Sequence, residues 1–256
     1  MVATTLRMGD IAPARRNGRW FYVGMAGVCM LIAFGGFVPT YWSRLAAGNF
    51  GGAPILHIHG ALFFAWTLFF LVQTTLVALG RTADHRAWGM AGIALATAMA
   101  CSVVLAAINA MRVAETIGMA EQARRFSYVS LSGVVLFSGL LAVAIANVRR
   151  SEIHKRLMLL AMIPLMHAAT ARVFMTLFAP PDAKGPPPVF VSVPPGLFVD
   201  LLIVAGIVYD WRTRGRPHPA YLIGGALLLA NQVLAVPLSA TSAWMSIAYA
   251  VQSLAG

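Results

Sequence analysis

Residues 55–88 read ILHIHGALFFAWTLFFLVQTTLVALGRTADHRAW, and this one passage carries three of the six histidines. At ~1.5 Å rise per residue, a helix over 55–79 reaches roughly 36 Å, enough to cross a bilayer core of about 30 Å with some tilt. His57 and His59 then lie near one membrane face and His85 follows at the other. The passage therefore predicts a spanning helix with imidazoles at both ends.

The rest of the chain extends that pattern. Of 256 residues, 59% are hydrophobic and 11% charged, which is membrane usage and not that of a soluble domain. The net charge of +11 does not point to nucleic acid, because the basic residues sit in short clusters between apolar runs. Cys29 and Cys101 both fall inside apolar runs, where small buried thiols are expected and a disulfide framework is not. Apolar runs of spanning length occur at 20–42, 55–79, 88–111, 128–148, 157–178, 196–211 and 220–238. The reading is an all-α, seven-span polytopic bundle whose core is formed by spans two to five. It forms one transmembrane domain over 1–256, with a basic segment at 1–19 and a proline-rich loop at 179–195. The sixth run is short, and residues 243–254 either extend the seventh or lie along the interface.

Lys and Arg in alternate connections number thirteen on the side of the N-terminus and five on the other, with Arg172 left inside a span. By the positive-inside rule this sets the N-terminus in the cytoplasm and the C-terminus outside. Trp20, Trp42, Trp88 and Trp211 all stand at span ends, where indoles favour the headgroup level. The expected location is a bacterial inner membrane.

Ionisable residues inside spans are functional candidates when a partner can be named. Here they are His59, His57, His167, Arg172 and Asp200. Arg172 and Asp200 stand at similar depths near the same face, which predicts a structural ion pair between spans five and six. His57 and His59 are two residues apart and so point about 200° apart on a helix. The stripe of His59 continues through Trp66, Thr67, Gln73 and Thr74, a semi-polar face suited to the bundle interior, whereas His57 suits packing or the rim. His167 lies near mid-membrane, three residues after Pro164, whose missing N–H loosens the helix. Asn109, Asn231 and Gln232 read as interhelical hydrogen-bond groups.

His85 and His154 occupy matching helix starts on the arginine-rich side, in Asp84-His85-Arg86 and Glu152-Ile153-His154-Lys155-Arg156. Either they are solvated interfacial residues, or spans three and five bring both to one site. Together with His57-Ile58-His59-Gly60, Gly80-Arg81, Gly89, Met158 and Arg172, these motifs resemble a little-characterised group of bacterial multi-pass membrane proteins with a His-Arg-x-x-Gly loop and a His-x-Arg-x-Met helix start. The layout is more distantly similar to the helix bundles of b-type cytochromes, transmembrane ferric reductases and haem A synthase. That resemblance implies haem b, a redox or electron-transfer role and a membrane redox or respiratory partner. Bis-histidine haem needs two imidazoles facing each other at one depth. His85 with His154 meets that condition, while His59 and His167 differ by about 9 Å in expected depth. A zinc or iron site from His59, His167 and Asp200 is a rival.

Two classes of function stay open: a haem- or metal-dependent redox membrane protein, and a non-enzymatic accessory subunit or small-molecule-binding bundle. The absence of repeats speaks against common transporter folds. No Gly-x-Ser-x-Gly or phosphate-binding glycine loop points to hydrolase or nucleotide chemistry.

Overall fold

A computed structural model describes residues 13–254; the basic residue Arg7 lies outside the described residues. The described chain is helical, with no strand. Helix α1 (Pro13–Gly36) passes through a π turn into α2 (Ser43–Ala46), and α3 (Pro54–Ala78), α4 (Thr82–Thr116), α5 (Ala120–Ala146) and α6 (Ser151–Phe178) follow. The chain then forms α7 (Val193–Val199), α8 (Leu201–Arg214), α9 (Pro219–Leu238) and α10 (Ser242–Ser253). Among the described residues, seven segments are long and apolar enough to cross a membrane. The first runs from α1 to the end of α2, and the sixth joins a 3-10 turn at Val189–Ser192 to α7 and α8.

Short connections make the early spans antiparallel neighbours. Gly80 between α3 and α4 and Gly118 between α4 and α5 have φ of 81° and 75°, left-handed values that glycine adopts without a Cβ clash. Packing then closes a ring: α1 lies against α3 and α6, and α3, α4, α5 and α6 follow one another around it. The expected core of spans two to five is present and the first span completes it, contributing the buried Tyr22, Met25, Ala26 and Cys29. At Gly36 the α1 backbone comes so close to α6 that an added Cβ would stand 2.5 Å from the Ala169 carbonyl oxygen.

Lipid tails are as apolar as leucine, so packing and interhelical hydrogen bonds have to hold such a bundle together. The ring centre shows both. Trp66 of α3 is 2% exposed; its Nε1–H donates to the Met162 sulfur of α6 at 3.2 Å, and its indole meets Phe137 of α5 edge-on at 5.3 Å. Residues 159–163 of α6 are buried in unbroken succession, the pattern of a helix enclosed on all sides. Large apolar residues such as Leu31, Val72 and Ile223 face outward instead, as a lipid-facing surface requires.

Two boundaries and the burial of one cysteine differ from the hydropathy reading. The sixth span runs Val189–Arg214, longer than the run at 196–211, because Pro194 and Pro195 occupy the first turn of α7, where a missing N–H costs no helical bond. Helix α10 does not prolong the seventh span: Thr241 caps it anew, accepting from the Trp244 N–H, and it folds back on α4 and α5. Cys101 is exposed on the outer face of α4, unlike the buried Cys29, and both thiols are free.

Candidate functional site

At the arginine-rich end, the last turns of α3 and α5 meet the first turns of α4 and α6. His85 is the fourth residue of α4 and His154 the fourth of α6. Their ring centroids lie 6.3 Å apart with the planes at 78°. His154 Nδ1 stands 2.8 Å from the Ala144 carbonyl in the last turn of α5, which also accepts the N–H of the capping residue Asn147. A carbonyl only accepts, so Nδ1 is the donor of this bond. His154 is thus anchored through one nitrogen, the arrangement by which second-shell carbonyls orient metal-ligating histidines. The Nδ1 of His85 is buried without a hydrogen-bond partner.

Beside this pair runs a buried charge cluster that reading the sequence missed. Arg156, 1% exposed, grips the fully buried Asp210 of α8 with two parallel bonds, Nε to Oδ2 at 2.8 Å and Nη2 to Oδ1. Its Nη1 donates to the Glu152 backbone and carboxylate, Arg214 donates to the same carboxylate at 2.7 Å, and the His218 N–H donates to Asp210. The guanidinium also lies over the Tyr221 ring at 5.8 Å, and Tyr221 approaches Tyr22 hydroxyl to hydroxyl at 3.4 Å. The signal available was Asp210 itself, an acid at the end of an apolar run with arginines at the facing helix start.

His218 extends the cluster to the start of α9, where its Nδ1 accepts the Ala220 N–H and caps the helix. Burial, then the positive charges of Arg156 and Arg214, hold its pKa below the usual imidazole value. A depressed base stabilises the fold fully above its unfolded pKa of about 6.5 and loses that contribution as pH falls through the folded value. A melting temperature that drops below about pH 6.5 in the wild type, and drops less in His218→Asn, is the expected result. Asparagine caps a helix without titrating, so thermal scans across pH test the assignment.

The histidines of the other end are not brought together. His59 Nδ1 meets Ser102 Oγ of α4 at 3.1 Å, His57 Nδ1 meets the Tyr41 hydroxyl at 2.9 Å beside Phe50, and His167 Nε2 donates to the Ser192 carbonyl at 2.6 Å. The inward stripe of α3 is the expected one, with Trp66, Thr67 and Gln73 buried. His167 borders a cavity of about 30 Å³ with Ser192, Asn231 and Gln232, room for about one water molecule. Among the described residues no group of three or more His, Cys, Asp or Glu is placed to hold a metal, so the His59–His167–Asp200 arrangement does not form.

The expected Arg172–Asp200 pair does not form either. Asp200 stands at the break between α7 and α8 and accepts from Gln232 Nε2 at 3.1 Å, while Arg172 lies on the exposed face of α6. Equal depth placed the two residues level, but depth says nothing of the direction in which a helix presents each one. No protein-family model matches the chain, and no curated protein or solved structure matches it.

Proposed function

We propose that the chain is a multi-pass protein of a bacterial inner membrane that holds a redox metal between His85 and His154 at its cytoplasmic face, either as haem b or as a protein-bound ion. The observation that carries this reading is the pair of imidazoles 6.3 Å apart, His154 anchored through Nδ1 and His85 with an orphaned buried nitrogen. Unpaired buried nitrogens are costly and call for a partner. The donor set fits haem b held without covalent attachment, since two histidines suit axial ligation and no Cys-x-x-Cys-His sequence occurs. Such a group supplies one-electron exchange at the metal. The chain's own contribution is orientation: the Ala144 carbonyl holds His154 through Nδ1, and His85 stands across from it with ring centroids 6.3 Å apart.

An absorption spectrum and metal analysis of the detergent-purified protein test the proposal. Bound metal near one per chain in the wild type, lost in His85→Ala and in His154→Ala but kept in His59→Ala and His167→Ala, is expected. A wild-type protein with neither a Soret band nor bound metal, even after incubation with haemin or metal ions, overturns it. A second reading, a non-enzymatic accessory subunit or small-molecule-binding bundle, draws on His59 with Ser102 and His167 with Ser192, which join neighbouring segments as plain packing contacts. In that case His59→Ala and His167→Ala change stability and leave a partner's activity intact.

A further inference from the structure

At the end of the bundle opposite His85 and His154, a groove of about 530 Å³ opens between the α4–α5 turn, the 3-10 turn before α7 and the end of α9. That volume lies within the roughly 300–1,000 Å³ of ordinary ligand sites. Two contacts fix its wall on the proline-rich side. Gln122 Nε2 donates to the Pro186 carbonyl, and Gly185, at φ of 74°, lies so close to Met119 that an added Cβ would meet its sulfur. Met119, Val189, Phe190 and Val236 supply the apolar lining. Phe190 is 62% exposed and Val236 40%, so this lining is left open and not packed against protein. Along α9 the exposed Val233 and Leu229 share one helix face with Val236 and carry the apolar surface onward.

Two opposite charges stand at the same groove. Glu121 and Arg125, one turn apart near the start of α5, both line it and pair with each other at 2.6 Å, with side chains 67% and 44% exposed. An exposed pair of this kind is weak and opens at little cost. Arg124 is turned away to Gln252 and Glu115, so Arg125 is the guanidinium at the groove. One span starts here and another ends, which sets the charges at headgroup level and the outward face of α9 at the level of the acyl chains.

We infer that the groove seats one phospholipid whose headgroup carries a phosphate and a primary ammonium. The phosphate takes the Arg125 guanidinium, whose paired N–H donors match phosphate oxygens. The ammonium donates to the Glu121 carboxylate, replacing the contact that Arg125 gives up. The acyl chains run past Val236 along the outward face of α9. A trimethylammonium headgroup has the charge but no N–H to donate, and a glycerol headgroup has no cation for Glu121, so the pair selects one zwitterion over both. The site is independent of a metal between His85 and His154, which lies at the other end.

The test adds phosphatidylethanolamine, phosphatidylcholine or phosphatidylglycerol of matched acyl chains to the delipidated full chain in detergent. Bound lipid is counted by native mass spectrometry and stabilisation is read from the melting temperature. Phosphatidylethanolamine is expected to bind about tenfold more tightly than either competitor, the effect of one charge-assisted contact. Glu121→Gln is expected to bring it down to the phosphatidylcholine affinity, and Arg125→Gln to weaken all three. Val236→Trp fills the groove from an exposed position and is expected to lose all three lipids while melting, without lipid, near the wild-type temperature. Equal wild-type affinity for the three lipids overturns the proposal, and that comparison needs no variant. A preference that survives Glu121→Gln overturns it as well, as does lipid retained by Val236→Trp. Glycerophosphoethanolamine, the same headgroup without acyl chains, is expected to stabilise little; if it matches the whole lipid, the ligand is a soluble phosphate ester and the phospholipid assignment falls.

Discussion

Asp210→Ala is expected to lower the unfolding free energy by about 3–5 kcal/mol, because it leaves the Arg156 guanidinium buried without its main counter-charge. Arg156 is 1% exposed and Asp210 not at all, so solvent cannot enter to replace the lost carboxylate without opening the contact between α6 and α8. Glu152 holds only Nη1, leaving Nε and Nη2 unmet. The double replacement Arg156→Met with Asp210→Leu removes both charges and is expected to recover most of the loss, since apolar residues of similar size often replace a buried pair at no net cost. Unfolding of the four purified proteins in one detergent gives the cycle. A single mutant within about 1 kcal/mol of wild type contradicts the burial of the pair.

The same cluster shows where the sequence is readable and where it is not. Span positions follow from apolar length alone, and all seven runs lie inside the observed spans apart from their terminal residues. The start of the sixth was obscured by prolines, which read as loop although in the first turn of α7 they are compatible with a helix. The pairing of His85 with His154 was legible because each is one turn into a helix at the same end, at equal depth on the two spans that flank span four. Arg156 was not legible by that route. An arginine at a helix start adds to the positive-inside count, and nothing local distinguishes one that faces lipid headgroups from one that turns inward to an acid 54 residues later. Arg172 and Asp200 show the converse: a shared depth without a shared direction gave a pair that the fold does not make. Gln73 stood on the semi-polar stripe and was recognised as inward, but its lack of any partner is visible only once the neighbouring helices are in place.

Trp66→Ala is expected to cost about 3–5 kcal/mol, the range for deleting a buried aromatic ring. The indole fills the centre of the five-span ring, between Phe137 and Met162, and its Nε1–H is satisfied by the Met162 sulfur rather than by water. Trp66→Phe keeps most of the apolar contact and loses the N–H to sulfur bond, so about 1 kcal/mol beyond the smaller ring's lost packing is expected. Both variants bear on the metal proposal. If the metal sits between His85 and His154 at the arginine-rich end, Trp66→Phe leaves its affinity unchanged while lowering the melting temperature. If the ring centre were the binding pocket, affinity would fall with the indole. Trp66→Ala sharpens the contrast: it opens a dry apolar cavity, which a small apolar solute such as benzene is expected to occupy with partial recovery of stability. Benzene that stabilises Trp66→Ala without displacing the metal would place the packed centre and the histidine end in separate compartments of the same ring.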